Sequence, residues 1–78
     1  MEKVYVNVDY QVLGGGTLKP VRIYWTDGRA FDIKKTVDCT TLEQDGERIC
    51  YTVLIGKAKR QLYRADGKWY VEPSKLSN

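Results

Sequence analysis

The stretch VRIYWTDGRAFDIKKTV, from Val21 to Val37, has the clearest alternation and the clearest turn in the chain. A two-residue Asp-Gly turn would set Ile23 opposite Asp32, whereas a three-residue loop pairs Ile23 with Phe31. Only the longer loop keeps the apolar side chains together, because a one-residue slip moves every side chain to the other face. The stretch therefore predicts a hairpin that closes in a G1 bulge, with Gly28 in the left-handed conformation.

Alternation of apolar and polar residues predicts strands in the rest of the chain as well. Residues 3–13 form the first strand, which the three glycines at 14–16 end. A three-residue loop at 44–46 and two-residue turns at 56–57 and 66–67 keep the later apolar residues on one face. The registers that follow pair Val37 with Val53, Cys39 with Tyr51, Tyr51 with Leu62, Tyr63 with Tyr70 and Arg64 with Trp69.

Arg64 is the exception to the apolar inner face, and we expect it at the rim, stacked on the indole of Trp69.

These turns give about six strands and no helical segment longer than a turn. A meander with one apolar face has to curl on itself to bury that face. We therefore predict an all-β fold, a six-stranded antiparallel meander curled into a small barrel or a strongly bent sheet. Residues 1–73 would form one small β domain, and residues 74–78 a flexible C-terminal tail.

Charge is unevenly distributed along the 78 residues, whose net charge is +3. Residues 1–55 carry seven basic and eight acidic side chains (−1), and residues 56–78 carry six and two (+4). Such an asymmetry is compatible with an acidic partner, including nucleic acid, and equally with an ordinary solvated surface. No signal-peptide pattern or long apolar run is present, which predicts a soluble, cytoplasmic protein and no membrane partner.

The residues that usually carry catalysis are scarce. Histidine, the commonest general base, is absent from the sequence. The predicted register puts Cys39 and Cys50 on opposite faces, which excludes a disulfide between them. Of the two thiols, we expect Cys39 in the core and Cys50 nearer to solvent. Two separated cysteines are too few for a metal site. We therefore predict that the protein is not an enzyme, has no catalytic residues, and binds no metal and no cofactor.

The register also defines an outer face on which tyrosines alternate with cations. Aromatic rings that stack on bases and cations that track phosphates are the design of single-strand nucleic-acid binders. A structural alternative is that Tyr63 and Tyr70 form a cross-strand pair that only stabilises the sheet. The sequence thus predicts a nucleic-acid-binding face made of Arg22, Tyr24, Lys34, Lys59, Tyr63, Lys68 and Tyr70.

A protein partner fits the same composition, because tyrosine and arginine are enriched at protein interfaces. An adaptor or a homodimer that pairs through an edge strand is therefore the alternative function. The protein could be a monomer or a homodimer on this ground.

The pattern P-x-x-I-x-W-x-D-G-R-x-F-x-I-x-x-x-x-D, from Pro20 to Asp38, resembles a family of small uncharacterised bacterial β-proteins, familiar mainly from Firmicutes. The likeness continues in residues 49–56 (ICYTVLIG), 61–63 (QLY) and 68–72 (KWYVE). The family is also similar to a small domain of unknown function that is sometimes encoded beside Y-family DNA polymerases. The resemblance implies a small β fold and accessory work with a repair or replication protein, and it implies no catalytic residues.

Overall fold

The computed structural model describes residues 3–43 and 46–72. Their fold is all-β, as the sequence predicts, with one 3₁₀ turn at Gly14–Gly16. The strands form a single antiparallel sheet in the order β3-β2-β1-β7-β6-β5-β4. Their bounds are β1 (Val4–Val12), β2 (Leu18–Tyr24), β3 (Ala30–Asp32), β4 (Lys35–Leu42), β5 (Arg48–Ile55), β6 (Ala58–Ala65) and β7 (Lys68–Val71).

The sheet has seven strands because the predicted third strand is divided between its two neighbours. The amide of Ile33 donates to the carbonyl of Val21 on β2 at 3.0 Å, and the amide of Lys34 donates to the carbonyl of Leu54 on β5 at 2.8 Å. The chain therefore crosses from one edge of the sheet to the other within two residues. This crossing requires the sheet to curl, and the result is a half-barrel. Its strand order differs from a simple meander because β1 pairs with β7, while β3 and β4 lie at opposite edges.

The hairpin that begins at Val21 has the predicted register. Ile23 pairs with Phe31, and Gly28 has a φ of +94°. The amide of Trp25 donates to the carbonyl of Arg29 at 2.7 Å, which closes the three-residue loop. The apolar residues of both strands consequently share the concave face.

The later registers are also confirmed where the structure describes them, with the exception of the pair Val37 with Val53. The observed pairs include Cys39 with Tyr51, Tyr51 with Leu62, and Tyr63 with Tyr70. The turn before Gly46 includes residues 44 and 45, which lie outside the described residues. Turn chemistry and alternation together were therefore sufficient to align four consecutive strands.

Val37 departs from its predicted place. The register of β4 shifts between Thr36 and Asp38, so Thr36 rather than Val37 lies opposite Val53. Val37 is left 44% exposed. A bulge of this kind inserts an unpaired residue into an edge strand and discourages its pairing with another chain.

Apolar side chains from the concave face form the main core. Its buried members are Val6, Ile23, Tyr51, Val53, Leu62 and Trp69. A second, smaller cluster lies on the other face of the sheet and consists of Cys50, Tyr63 and Tyr70. The predicted end of the domain at residue 73 and the predicted tail at 74–78 lie outside the described residues. No helix among the described residues is long and apolar enough to cross a membrane.

Replacing Gly28 with alanine should test the hairpin geometry. An added Cβ would meet no atom within 4 Å at Gly28 or at Gly14, but only Gly28 has a positive φ. Gly28→Ala should therefore lower the free energy of unfolding by about 1–2 kcal/mol, the cost of the left-handed region for a residue with a Cβ. Chemical denaturation of both variants is the measurement, with Gly14→Ala as the control. Equal stability of the two variants would contradict the predicted role of Gly28.

Candidate functional site

The seven residues predicted to bind nucleic acid do not share one environment. Tyr63 and Tyr70 are only 2% and 1% exposed, so the expectation that they face solvent is wrong. Arg22, Lys34, Lys59 and Lys68 are exposed, and Tyr24 is half-buried. Alternation had assigned the two tyrosines to the correct face of the sheet but could not show that this face carries a second core.

Tyr63 and Tyr70 form the cross-strand pair that was the structural alternative. Their rings stack with centroids 5.2 Å apart and planes inclined by 15°. The hydroxyl of Tyr63 donates to Oε1 of Gln61 at 3.0 Å. Nη1 of Arg48 donates to the hydroxyl of Tyr70, also at 3.0 Å. Both hydroxyl groups are thus engaged within the protein, and neither ring is accessible to a base.

Arg48 connects this tyrosine pair to a buried carboxylate. Its guanidinium lies 5.0 Å from the ring centroid of Tyr63, and Nη1 is 3.4 Å from Oε2 of Glu72. The side chain of Glu72 is only 3% exposed. The hydrogen bond with Tyr70 and the negative charge of Glu72 raise the pKa of Arg48, which therefore stays protonated. A charge pair of this kind belongs to the scaffold, because removing one partner would leave the other charge buried.

Changing Tyr70 to phenylalanine should separate this structural role from a binding role. The substitution keeps the ring and removes the acceptor of the Arg48 hydrogen bond, so it should cost roughly 1–3 kcal/mol of stability. Tyr5→Phe is the matched control, since Tyr5 is 54% exposed. Thermal and urea unfolding of both variants would measure the difference. If Tyr70→Phe were as stable as Tyr5→Phe, the Arg48 contact would have no energetic importance.

Carboxylates surround the predicted cationic site on β2. Nε of Arg22 lies 2.9 Å from Oδ1 of Asp32, and the hydroxyl of Tyr24 donates to Oδ2 of Asp9 at 2.6 Å. That hydrogen bond with Asp9 raises the pKa of Tyr24. Two negative charges beside one arginine leave this surface without a net attraction for phosphate. The structure therefore does not support β2 as the centre of a nucleic-acid site.

A different aromatic surface lies where β7 begins. β7 pairs with β1 only over Val4, Tyr5 and Val6, so the remainder of β1 has no β7 partner among the described residues. A groove of about 460 Å³ opens there. We refer to it as the aromatic groove, and its lining residues are Tyr5, Val6, Asn7, Val8, Tyr10, Arg64, Gly67, Lys68 and Trp69.

Exposed rings and cations flank the aromatic groove on both faces of the sheet. Tyr5 and Lys68 lie on the face of the second cluster, where Tyr5 packs against Tyr70, and Tyr10 and Arg64 lie on the concave face beside Trp69. Tyr5 is 54% and Tyr10 42% exposed. The guanidinium of Arg64 lies 5.2 Å from the centroid of Tyr10 and 4.9 Å from that of Trp69. Nζ of Lys68 lies 5.8 Å from the centroid of Tyr5. The predicted stacking of Arg64 on the indole is thus confirmed, and it takes place at the edge of an open groove.

Of the predicted site residues, only Lys68 lines this groove, and the sequence analysis missed both exposed tyrosines. By the alternation of β1, Tyr10 falls on the apolar face with Val6 and Val8. It does lie on that face, against Trp69, but β7 pairs with β1 only as far as Val6 and leaves the Tyr10 ring at the rim. Tyr5 falls with Lys3 on the polar face of the strand, and the presence of a ring and a cation on one face was the signal in the sequence that could have identified it.

The two cysteines have the opposite exposure from the one predicted. Cys39 is exposed and Cys50 is buried, and both thiols are free. Cys39 does lie opposite Tyr51 on the concave face, but β4 is the edge of a half-barrel, so this part of the face is open. Desolvation, with a smaller contribution from Asp38, raises the pKa of the Cys39 thiol.

Alkylation should therefore modify Cys39 before Cys50, and the reaction at Cys39 should be slow. The pKa of Cys39 lies above the usual thiol value of about 8.5. The thiolate fraction, and with it the alkylation rate, should therefore continue to rise with pH beyond that value. Mass spectrometry after timed iodoacetamide treatment is the measurement. Asp38→Asn should speed the reaction at pH 8, while Asp32→Asn, away from the thiol, should not. Modification of Cys50 before Cys39 in the folded protein would contradict the structure.

Comparisons with protein-family models, with curated proteins and with solved structures find no match to this chain. Within residues 3–43 and 46–72, no group of three or more His, Cys, Asp or Glu side chains is arranged to hold a metal ion.

Proposed function

We propose that the protein is a non-catalytic module that binds single-stranded nucleic acid in the aromatic groove. The observation that supports this most strongly is the exposure of the Tyr5 and Tyr10 rings beside Arg64 and Lys68. Stacking platforms combined with cations bind single strands without a need for base-specific hydrogen bonds.

The two tyrosines would supply the stacking energy. Each base that stacks on an aromatic side chain contributes about 1–3 kcal/mol. Tyr5 and Tyr10 are five positions apart on β1, a distance of about 17 Å at the usual rise of a strand. They would therefore contact bases that are not adjacent. Because the two rings lie on opposite faces of β1, the nucleotides between them would cross the edge of β1 at Asn7 and Val8, which have no β7 partner among the described residues.

Arg64 and Lys68 would supply the attraction for phosphate. Neither of them, nor Lys3, forms an ion pair within the part of the chain that the structure describes, whereas Arg22 is bound to Asp32. A cation without a carboxylate partner can bind a phosphate and release its counterions without first breaking an ion pair. This difference favours the groove over the β2 surface as the place of binding.

The resemblance to a domain encoded beside DNA polymerases favours DNA over RNA. The proposed partner is accordingly single-stranded DNA, either free or within a repair or replication complex. Lys34 and Lys59 lie outside the groove, and their role in the proposal is limited to long-range electrostatic attraction.

Fluorescence anisotropy with labelled oligothymidylate should test the groove. Tyr5→Leu and Tyr10→Leu should each weaken binding about 5- to 100-fold, since each removes one stacking platform. Tyr24→Leu serves as the comparison on the β2 surface and should bind like the wild type. Lys68→Gln should reduce the slope of log affinity against log salt by about 1, whereas Lys57→Gln at the opposite turn should not.

Two results would refute the proposal. One is the absence of binding at low salt to both single-stranded DNA and single-stranded RNA. The other is a loss of binding in Tyr24→Leu with no change in Tyr5→Leu or Tyr10→Leu, which would place the site on β2. Circular dichroism of each variant would show that the fold is intact.

A further inference from the structure

A second opening lies at the other end of β7. β6 pairs with β7 only over Tyr63, Arg64 and Ala65, so Ala58–Leu62 have no β7 partner among the described residues. A half-open cavity of about 340 Å³ is found there, at the small end of the range for ligand pockets, roughly 300–1,000 Å³. We refer to it as the apolar cavity, and its apolar lining is Ile23, Trp25, Phe31, Ile55, Ala58 and Val71.

An arginine interrupts this lining from the inner side of β6. Arg60 pairs with Val53, which is fully buried, so Arg60 also belongs to the concave face. Nη1 of Arg60 donates to the carbonyl of Lys59 at 3.1 Å, and no carboxylate pairs with it within residues 3–43 and 46–72. A charged residue on the core face of a strand breaks the pattern that specifies the fold, and such breaks are expected at functional sites.

The other charges at the apolar cavity are compensated. Nε of Arg29 lies 2.7 Å from Oδ2 of Asp27. Oε2 of Glu72 lies 3.4 Å from Nη1 of Arg48. One guanidinium, that of Arg60, is therefore the positive charge left to bind a ligand.

We propose that the apolar cavity binds a small amphipathic monocarboxylate, with its apolar body inside and its carboxylate on Arg60. The planar guanidinium offers two parallel N–H donors that match the geometry of a carboxylate. One uncompensated positive charge suits a single negative charge. Glu72 in the wall disfavours a dianion such as a phosphate monoester. This site is separate from the aromatic groove, so the proposal does not depend on nucleic-acid binding.

Titration with three small molecules should test the chemistry of the ligand. Octanoate has both an apolar chain and a carboxylate, acetate has the carboxylate alone, and 1-octanol has the chain alone. Two-dimensional amide NMR of the full chain would measure affinity and would locate the site through Ile55, Ala58 and Val71. We expect saturable shifts at these amides with octanoate, and at least tenfold weaker binding of acetate and of 1-octanol.

Two charge-matched variants should identify the cation. Arg60→Gln should weaken octanoate binding about tenfold or more, because it removes a charge-assisted hydrogen bond, and should leave binding of 1-octanol unchanged. Lys19→Gln loses the same charge outside the cavity and should bind octanoate like the wild type. Arg60 is exposed, so the variant should fold, and its amide spectrum would show this directly.

Three outcomes would overturn the proposal. Equal affinity for octanoate and 1-octanol would show that no cation takes part. Equal weakening of octanoate binding by Arg60→Gln and Lys19→Gln would show that the net charge of the protein, and not the position of Arg60, determines the affinity. Shifts at the cavity amides that follow protein concentration rather than octanoate concentration would assign the cavity to a second copy of the chain.

Discussion

The pairing of β1 with β7 is the contact on which the rest of the structure depends. It joins a sheet half made of β1–β3 to another made of β4–β7, and only three residue pairs form it. Across this short seam, Trp69 of β7 packs against Tyr10 of β1, so the apolar contacts continue from one half to the other. Because β7 is four residues long, one end of β1 and one end of β6 have no β7 partner among the described residues, although they pair with β2 and β5. The aromatic groove and the apolar cavity occupy these two ends.

β6 gives each opening its charge. Its inner face carries Ala58, Arg60, Leu62 and Arg64 in alternation, and Leu62 between the two arginines is fully buried. An apolar residue in place of either arginine would suit the core, and burying a charge is costly unless it is paired. The half-barrel tolerates both because they lie at opposite openings, where the guanidinium groups reach solvent or stack on aromatic rings. The same strand thus holds the core together and supplies a cation to each candidate site.

The sequence was sufficient for the fold class and for most registers because turns and alternation are local. Gly28, Gly56 and Gly67 have the positive φ values that their hairpin turns require, and each turn aligns the strands on either side of it. The division of the third strand at Ile33 and Lys34 depends instead on where the curled sheet brings β5 close to β2. No local pattern contains that information. The same holds for the bulge at Val37, whose alternation with its neighbours is regular in the sequence.

The candidate site was harder to predict because it depends on burial and on the lengths over which strands pair. Alternation assigns a side chain to a face but does not show whether other side chains cover that face. For this reason the sequence predicts Tyr63 and Tyr70 as ligand contacts, although both are buried. Tyr10 is the opposite case, because alternation places its ring on the apolar face but β7 pairs with β1 only as far as Val6 and does not cover it. The ring packs against Trp69 on one side, with centroids 5.7 Å apart, and keeps 42% of its surface exposed. A ring held by the core and still open to solvent is what base stacking requires, and the short β7 provides it by leaving this end of β1 uncovered.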